Sequence, residues 1–238
     1  MGRGVVVCLG DSLTQHGQWV GGLMQWYQRK ADVLNRGYSG YNSTQGLFLL
    51  RKQIQEDVWP RGAQLVLVWF GANDAAIPPQ KVDVSDFVSN LESICSILGS
   101  LGSRVVLITP PAYDEEQWDQ HCRDTGKEVG SRNNLRSGVY ADAVIRIGAR
   151  LSIPVVELWS SLQSEHSEGS WKKLLSDGLH FNASGDVWVL GKIRACIEAQ
   201  FPDLAPKSLW MDAPLWSELH CDELEKSWDS STRKADFY

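Results

Sequence analysis

The sequence has no Cys-x-x-Cys pair, and its five cysteines, Cys8, Cys95, Cys122, Cys196 and Cys221, form an odd, scattered set. Neither a disulfide framework nor a zinc ribbon is built that way, so a reducing compartment is the expected setting. No apolar run approaches the ~18 residues of a membrane span, and Met1 is followed by no apolar leader ending in a small-residue cleavage site. The cytoplasm is therefore the expected location, with no membrane anchor. A basic excess is missing too: 23 Lys and Arg against 29 Asp and Glu leave a net charge of −6. That balance suits no phosphate-tracking surface, so nucleic acid is not an expected partner. The chain also lacks internal repeats, low-complexity tracts, a Gly-x-x-x-x-Gly-Lys-Ser/Thr phosphate loop and an evident Gly-x-Gly-x-x-Gly after a strand.

What remains is the composition of a globular domain, with 43% hydrophobic, 10% aromatic and 22% charged residues over 238 positions. A chain of this length buries a sizeable core without staples. Short, nearly continuous apolar runs at 5–9, 33–35, 65–70, 104–109 and 155–158 read as five strands buried on both faces. Helical periodicity falls near 18–31, 44–56, 84–99, 132–152 and 184–200. In the third of these, Phe87, Leu91, Ile94 and Leu98 recur on one face, Asp83 or Ser85 offers a cap, and Gly99 to Gly102 stops the helix. The alternation predicts an α/β fold with a mostly parallel five-stranded sheet, in one domain over residues 1–202. The polar stretch 114–131 reads as a surface loop that shapes function or moves. Residues 203–238 change character, with Pro206, Trp210, Pro214, Trp216, Trp228 and a charged finish. Packing on its own domain, a lid, a homodimer contact and a frayed end are the readings open to this extension.

In an open parallel sheet, ligands bind beyond the carboxyl ends of the strands. The residues just after three of the apolar runs are Gly10-Asp11-Ser12-Leu13, Gly37-Tyr38-Ser39-Gly40-Tyr41-Asn42 and Gly71-Ala72-Asn73-Asp74, and Asp177-Gly178-Leu179-His180 precedes the last helix. Acyl hydrolysis by a nucleophile needs a hydroxyl, a base, a group orienting that base, and donors for the developing oxyanion. Ser12 supplies the hydroxyl and His180 the base, with Asp177 accepting from the imidazole Nδ1–H. The backbone N–H groups of Ser12 and Gly40 and the Asn73 amide supply the donors. Asp11, Leu13, His16, Asn42 and Asp74 are secondary candidates for lining the crevice or steadying its loops. Two acids, Asp11 and Asp74, admit a metal reading, but Asx side chains commonly satisfy turn backbone, and neither metal nor cofactor is expected.

These four blocks, in this order, resemble those of the SGNH (GDSL-type) hydrolases, whose name residues fall on Ser12, Gly40, Asn73 and His180, with Asp177 matching the family acid. Arg29–Val33, Arg36–Asn42, Phe70–Ala76, Leu107–Pro111 and Ser176–His180 are similar to the isoamyl acetate-hydrolysing esterase subgroup. The resemblance spans residues 5–201. It implies a three-layer α/β/α flavodoxin-like fold and a metal-free serine esterase for small acetate-type esters, acting through an acyl-enzyme. Thioesterase, lysophospholipase or carbohydrate deacetylase chemistry uses the same blocks, because pocket shape and not the triad selects the substrate. A phosphate-cradling binding module would leave Asp177 and His180 without a role. The α/β-hydrolase elbow fails because Gly37-Tyr38-Ser39-Gly40-Tyr41 lacks its final glycine. A member of the family without catalysis also stays open. No part of the resemblance extends beyond residue 201.

Overall fold

Strand β1 (Gly4–Gly10) alternates between two cores, Val6 and Cys8 facing one and Val7 and Leu9 the other. The computed structural model in which this is seen describes residues 3–167 and 169–231. Apolar residues on both faces are what a strand covered from two sides requires. Around it lie β2 (Ala31–Gly37), β3 (Ala63–Trp69), β4 (Arg104–Ile108) and β5 (Val155–Val156), in the order β2-β1-β3-β4-β5 with every pair parallel.

Parallel neighbours need crossover connections, and helices supply them on both faces. One face is covered by α2 (Gln18–Trp26) and α8 (Ala183–Gln200), which bury Trp19, Leu23, Val189, Ile193 and Ile197. The other is covered by α3 (Ser43–Gln55), α4 (Val84–Ser100) and α6 (Asn134–Leu151), through Leu50, Phe87, Leu91, Ile94, Val144 and Ile147. Each such side chain contributes about 1.5–3 kcal/mol on burial. The architecture is three-layer α/β/α with the flavodoxin-like strand order, as the resemblance implied. Among the described residues, no helix is long and apolar enough to cross a membrane.

Three local expectations are corrected. Helix α2 ends at Trp26 instead of running to 31, because Tyr27 turns fully into the core and Arg29 adopts a left-handed φ of 65° that swings the chain into β2. Strand β5 is two residues long instead of four, since Thr109 Oγ1 accepts from Leu158 N at 2.8 Å and Trp159 N at 3.3 Å. Those amides turn the chain out of the ladder into the short helix α7 (Trp159–Ser164). Residues 114–131 are not simply a loop, for they contain α5 (Glu115–Thr125). Its apolar seam is only Trp118 and Cys122, one turn apart and buried, and acids in its first turn with Gly126 at its left-handed end complete the helix signals.

The segment after α8 folds back along the amino-terminal ends of β1 and β2. The Tyr27 hydroxyl donates to Leu204 O at 2.9 Å, and Lys30 Nζ donates to Pro206 O at 2.6 Å. Arg29 donates to the carbonyls of Ala213 and Pro214, both at 2.7 Å, and Asp212 N donates to Arg29 O at 2.9 Å. The expected frayed end falls on residues 232–238, outside those described. Ala205 and Met211 are buried, so this stretch contributes to the core. Met211→Ala is expected to lower stability by about 2–5 kcal/mol, read as a shift in the urea midpoint at unchanged m-value.

Candidate active site

From β1 the chain crosses to β2 on one side and later returns to β3 on the other. Loops leaving the carboxyl ends of β1 and β3 diverge at that switch, and a crevice opens between them. Topology therefore brings Asp11-Ser12 and Ala72-Asn73-Asp74 to one place. Ser12 is the first residue of the short helix α1 (Ser12–Gln15), and Asp11 caps it by accepting from Leu13 N at 2.9 Å.

The Asp177-Gly178-Leu179-His180 turn reaches the same crevice from the far end of the sequence. Asp177 Oδ1 accepts from Leu179 N at 3.0 Å and His180 N at 2.8 Å, which leaves Oδ2 for the ring. The His180 Nδ1 to Asp177 Oδ2 distance is 2.7 Å, and that from Nε2 to Ser12 Oγ is 2.8 Å. With Nδ1–H facing the carboxylate, Nε2 carries the lone pair that faces the serine hydroxyl. Burial disfavours the Asp177 charge, but the His180 ring N–H, its charge and the two backbone N–H groups outweigh burial and hold the carboxyl at about 2.

Helix α5 supports this turn. Gly178 has φ 92°, and a Cβ on it would lie 2.4 Å from Trp118 N and 2.5 Å from Asp114 O, so only glycine fits. Asp114 N donates to Gly178 O at 2.9 Å, and the Trp118 ring lies 6.4 Å from the His180 ring. The polar stretch that reads as a loop thus seats the turn that carries His180.

The glycine loop after β2 is tied to its neighbours at several points. Tyr38 N donates to Gly10 O at 2.8 Å, and Ser39 N donates to Gln15 Oε1 at 2.6 Å. Gly40 takes φ 81°, in the left-handed region, and Asn73 Nδ2 donates to the adjoining Tyr41 O at 2.8 Å. The secondary candidates fall in different surroundings. Asn42 caps α3 in a reciprocal box with Gln45, and Asp74 accepts from Ser43 N at 2.9 Å, so both hold loops. Leu13 is buried in the core, and His16 is exposed at the end of α1. Trp19 and Trp69 pack against each other in the interior with ring centroids 5.8 Å apart. Among the described residues, no three His, Cys, Asp or Glu side chains are placed to hold a metal ion.

Two residues at the site escaped the sequence reading. Trp118 was hidden in the polar stretch, where its i, i+4 spacing to Cys122 was the available signal. Arg132 precedes the α6 cap residue Asn133, and no motif marks it; its guanidinium is buried and donates to Asn73 Oδ1 at 2.8 Å.

A doubly wound α/β fold with a hydrogen-bonded Ser–His–Asp array at its switch point defines the class of serine-dependent hydrolases. The model of the GDSL-like lipase/acylhydrolase family matches residues 8–187, and the chain belongs to that family. An isoamyl acetate-hydrolyzing esterase 1 homolog of Bos taurus is 34% identical over 221 residues, 87% of each chain. The isoamyl acetate-hydrolyzing esterase of Saccharomyces cerevisiae is 28% identical over 83% of this chain and 82% of its own. A crystal structure of a lipase/acylhydrolase from Enterococcus faecalis superposes with a TM-score of 0.65 at 24% identity, over 83% of this chain and 97% of the other, and supports the fold.

Two other carboxyls at the site move the opposite way to Asp177. Burial pushes Asp11 up to about 7, against the Leu13 N–H, and pushes Asp74 up to about 6, against the Ser43 donors. The folded chain then holds protons that the unfolded chain releases, so stability falls as pH rises from about 4 to about 7. Asp11→Asn keeps an acceptor for Leu13 N while removing one of these titrations. Thermal melts across that window are expected to show a shallower decline for the variant, and identical slopes would count against the assignment.

Proposed function

We propose that this protein is a serine esterase that hydrolyses short-chain, acetate-type carboxylic esters such as isoamyl acetate through an acyl-enzyme. The observation that carries the reading is the unbroken chain from Ser12 Oγ to His180 Nε2 at 2.8 Å and from His180 Nδ1 to Asp177 Oδ2 at 2.7 Å. Family membership and the names of the bovine and yeast relatives support the ester class and the short acyl group.

Ser12 Oγ attacks the ester carbonyl carbon while His180 Nε2 takes the hydroxyl proton. The former carbonyl oxygen becomes an oxyanion facing the Ser12 and Gly40 N–H groups and the second N–H of Asn73 Nδ2. Collapse breaks the carbon–alkoxy bond, and His180 returns its proton to the departing alcohol. Water then repeats the sequence on the acyl-serine, releasing the acid and restoring the hydroxyl. Asp177 stabilises the imidazolium formed in each half. The five free cysteines support a reducing setting, the cytoplasm in this reading.

Rates on p-nitrophenyl esters from acetate to octanoate, and on isoamyl acetate, test the proposal. The expected result is a maximum on acetate for the wild type and loss of turnover in Ser12→Ala. A maximum on long chains would replace the short-ester assignment, and turnover surviving in Ser12→Ala would overturn the mechanism. Asn73→Ala is expected to lower kcat about 10²–10³-fold at similar KM. Because Asp177 stays ionised down to about pH 2, its protonation is not expected to contribute to the acid limb of the kcat/KM profile above that pH, and an acid limb that moves in Asp177→Asn only through a lower plateau is the expected result.

A further inference from the structure

Arg132 is a buried cation whose partners are neutral. One guanidinium nitrogen donates to Ala72 O, and another donates to Asn73 Oδ1 at 2.8 Å. The rings of Trp118 and Tyr113 lie 4.9 Å and 5.7 Å from its central carbon. The Tyr113 hydroxyl donates to the same Ala72 carbonyl at 2.8 Å. Among the described residues, no carboxylate lies at ion-pair distance from the guanidinium. Burying a charge without a direct ion-pair partner is costly, and carbonyl acceptors with aromatic faces offset only part of that cost.

An arginine has donors and no acceptor, so the Asn73 atom that faces it is Oδ1. The amide nitrogen is thereby turned away, and one of its N–H groups is held on Tyr41 O at 2.8 Å. The remaining N–H is the oxyanion donor of the proposed mechanism. We infer that Arg132 is a positioning residue of the oxyanion site, fixing the orientation of the Asn73 amide and polarising it toward a developing negative charge. The inference rests on the serine-esterase reading. A cation bonded to the amide oxygen draws electron density from the nitrogen and makes its N–H a stronger donor. The Asp11 carboxyl feels the Arg132 charge from beyond ion-pair distance, whereas the tetrahedral intermediate places a negative charge on the amide that Arg132 holds, where stabilisation accelerates the reaction.

The test combines Arg132→Met, Arg132→Lys and Asn73→Ala with the double variants, and rates are normalised to active sites titrated with a fluorophosphonate. Arg132→Met is expected to lower kcat about 10–10³-fold with KM near the wild-type value. Arg132→Lys, which keeps the charge and one donor, is expected to lose less. In the Asn73→Ala background either substitution is expected to cost no more than about threefold, because the amide it positions is gone. If Arg132→Met fails to fold in a thermal melt, Arg132→Lys carries the same comparison. A kcat unchanged in Arg132→Lys and Arg132→Met, a loss expressed in KM, or a full multiplicative loss on top of Asn73→Ala would overturn the inference. A wild type that takes no fluorophosphonate label, or a Ser12→Ala variant that keeps its turnover, would instead sink the esterase reading beneath it.

Discussion

A parallel sheet has to be covered on both faces, and that requirement organises the rest of this molecule. Because every strand points the same way, each crossover returns the chain to the same end of the sheet before the next strand begins. All the strand-to-helix turns therefore collect at one edge, where backbone groups leaving the ladder are still available for chemistry. The reversal of winding between β1 and β3 separates two of those turns and opens the crevice. Ser12 and Asn73 converge because their strands are neighbours, with no long-range element needed to join them.

The carboxyl groups around the crevice show how environment divides one functional group into different parts. Asp177 is partly buried but receives a ring N–H and two backbone N–H groups, so it remains ionised. Asp11 and Asp74 are fully buried, and there the cost of burial outweighs the donors they receive, so they hold protons more readily. Charge is kept at the residue placed to steady an imidazolium in the proposed mechanism and is disfavoured at the residues that hold loops.

Much of this was legible because the informative patterns are local. The runs containing Val6, Leu67, Val106 and Val155 are apolar on both faces, the edge strand β2 buries only Ala31 and Val33 on one face, and the Phe87-Leu91-Ile94 stripe repeats at helical spacing. The four blocks stand at strand ends or before a helix, so their residue types and order already implied a site. What escaped depends on contacts between distant parts of the chain. Helix α5 shows only Trp118 and Cys122 as an apolar seam, and its polar surface matches that of a loop. The end of α2 is set by a pairing of Tyr27 and Arg29 with residues beyond 203, which no local window contains. Arg132 has no motif, because its significance comes from an amide on another strand-end loop.

Ser12 and His180, the nucleophile and base of the proposed mechanism, are bonded across 168 positions of sequence. Residue 12 therefore leaves the ribosome long before its proton acceptor exists. At ordinary elongation rates of about 5–20 residues per second, the interval is roughly 10–30 s. During that time the strands and the helices α2 to α6 are made around an inert serine, while α8 follows only after His180. Hydrolytic competence is thus conferred near the end of synthesis, and a nascent or prematurely terminated chain lacking His180 displays the hydroxyl without the means to ionise it.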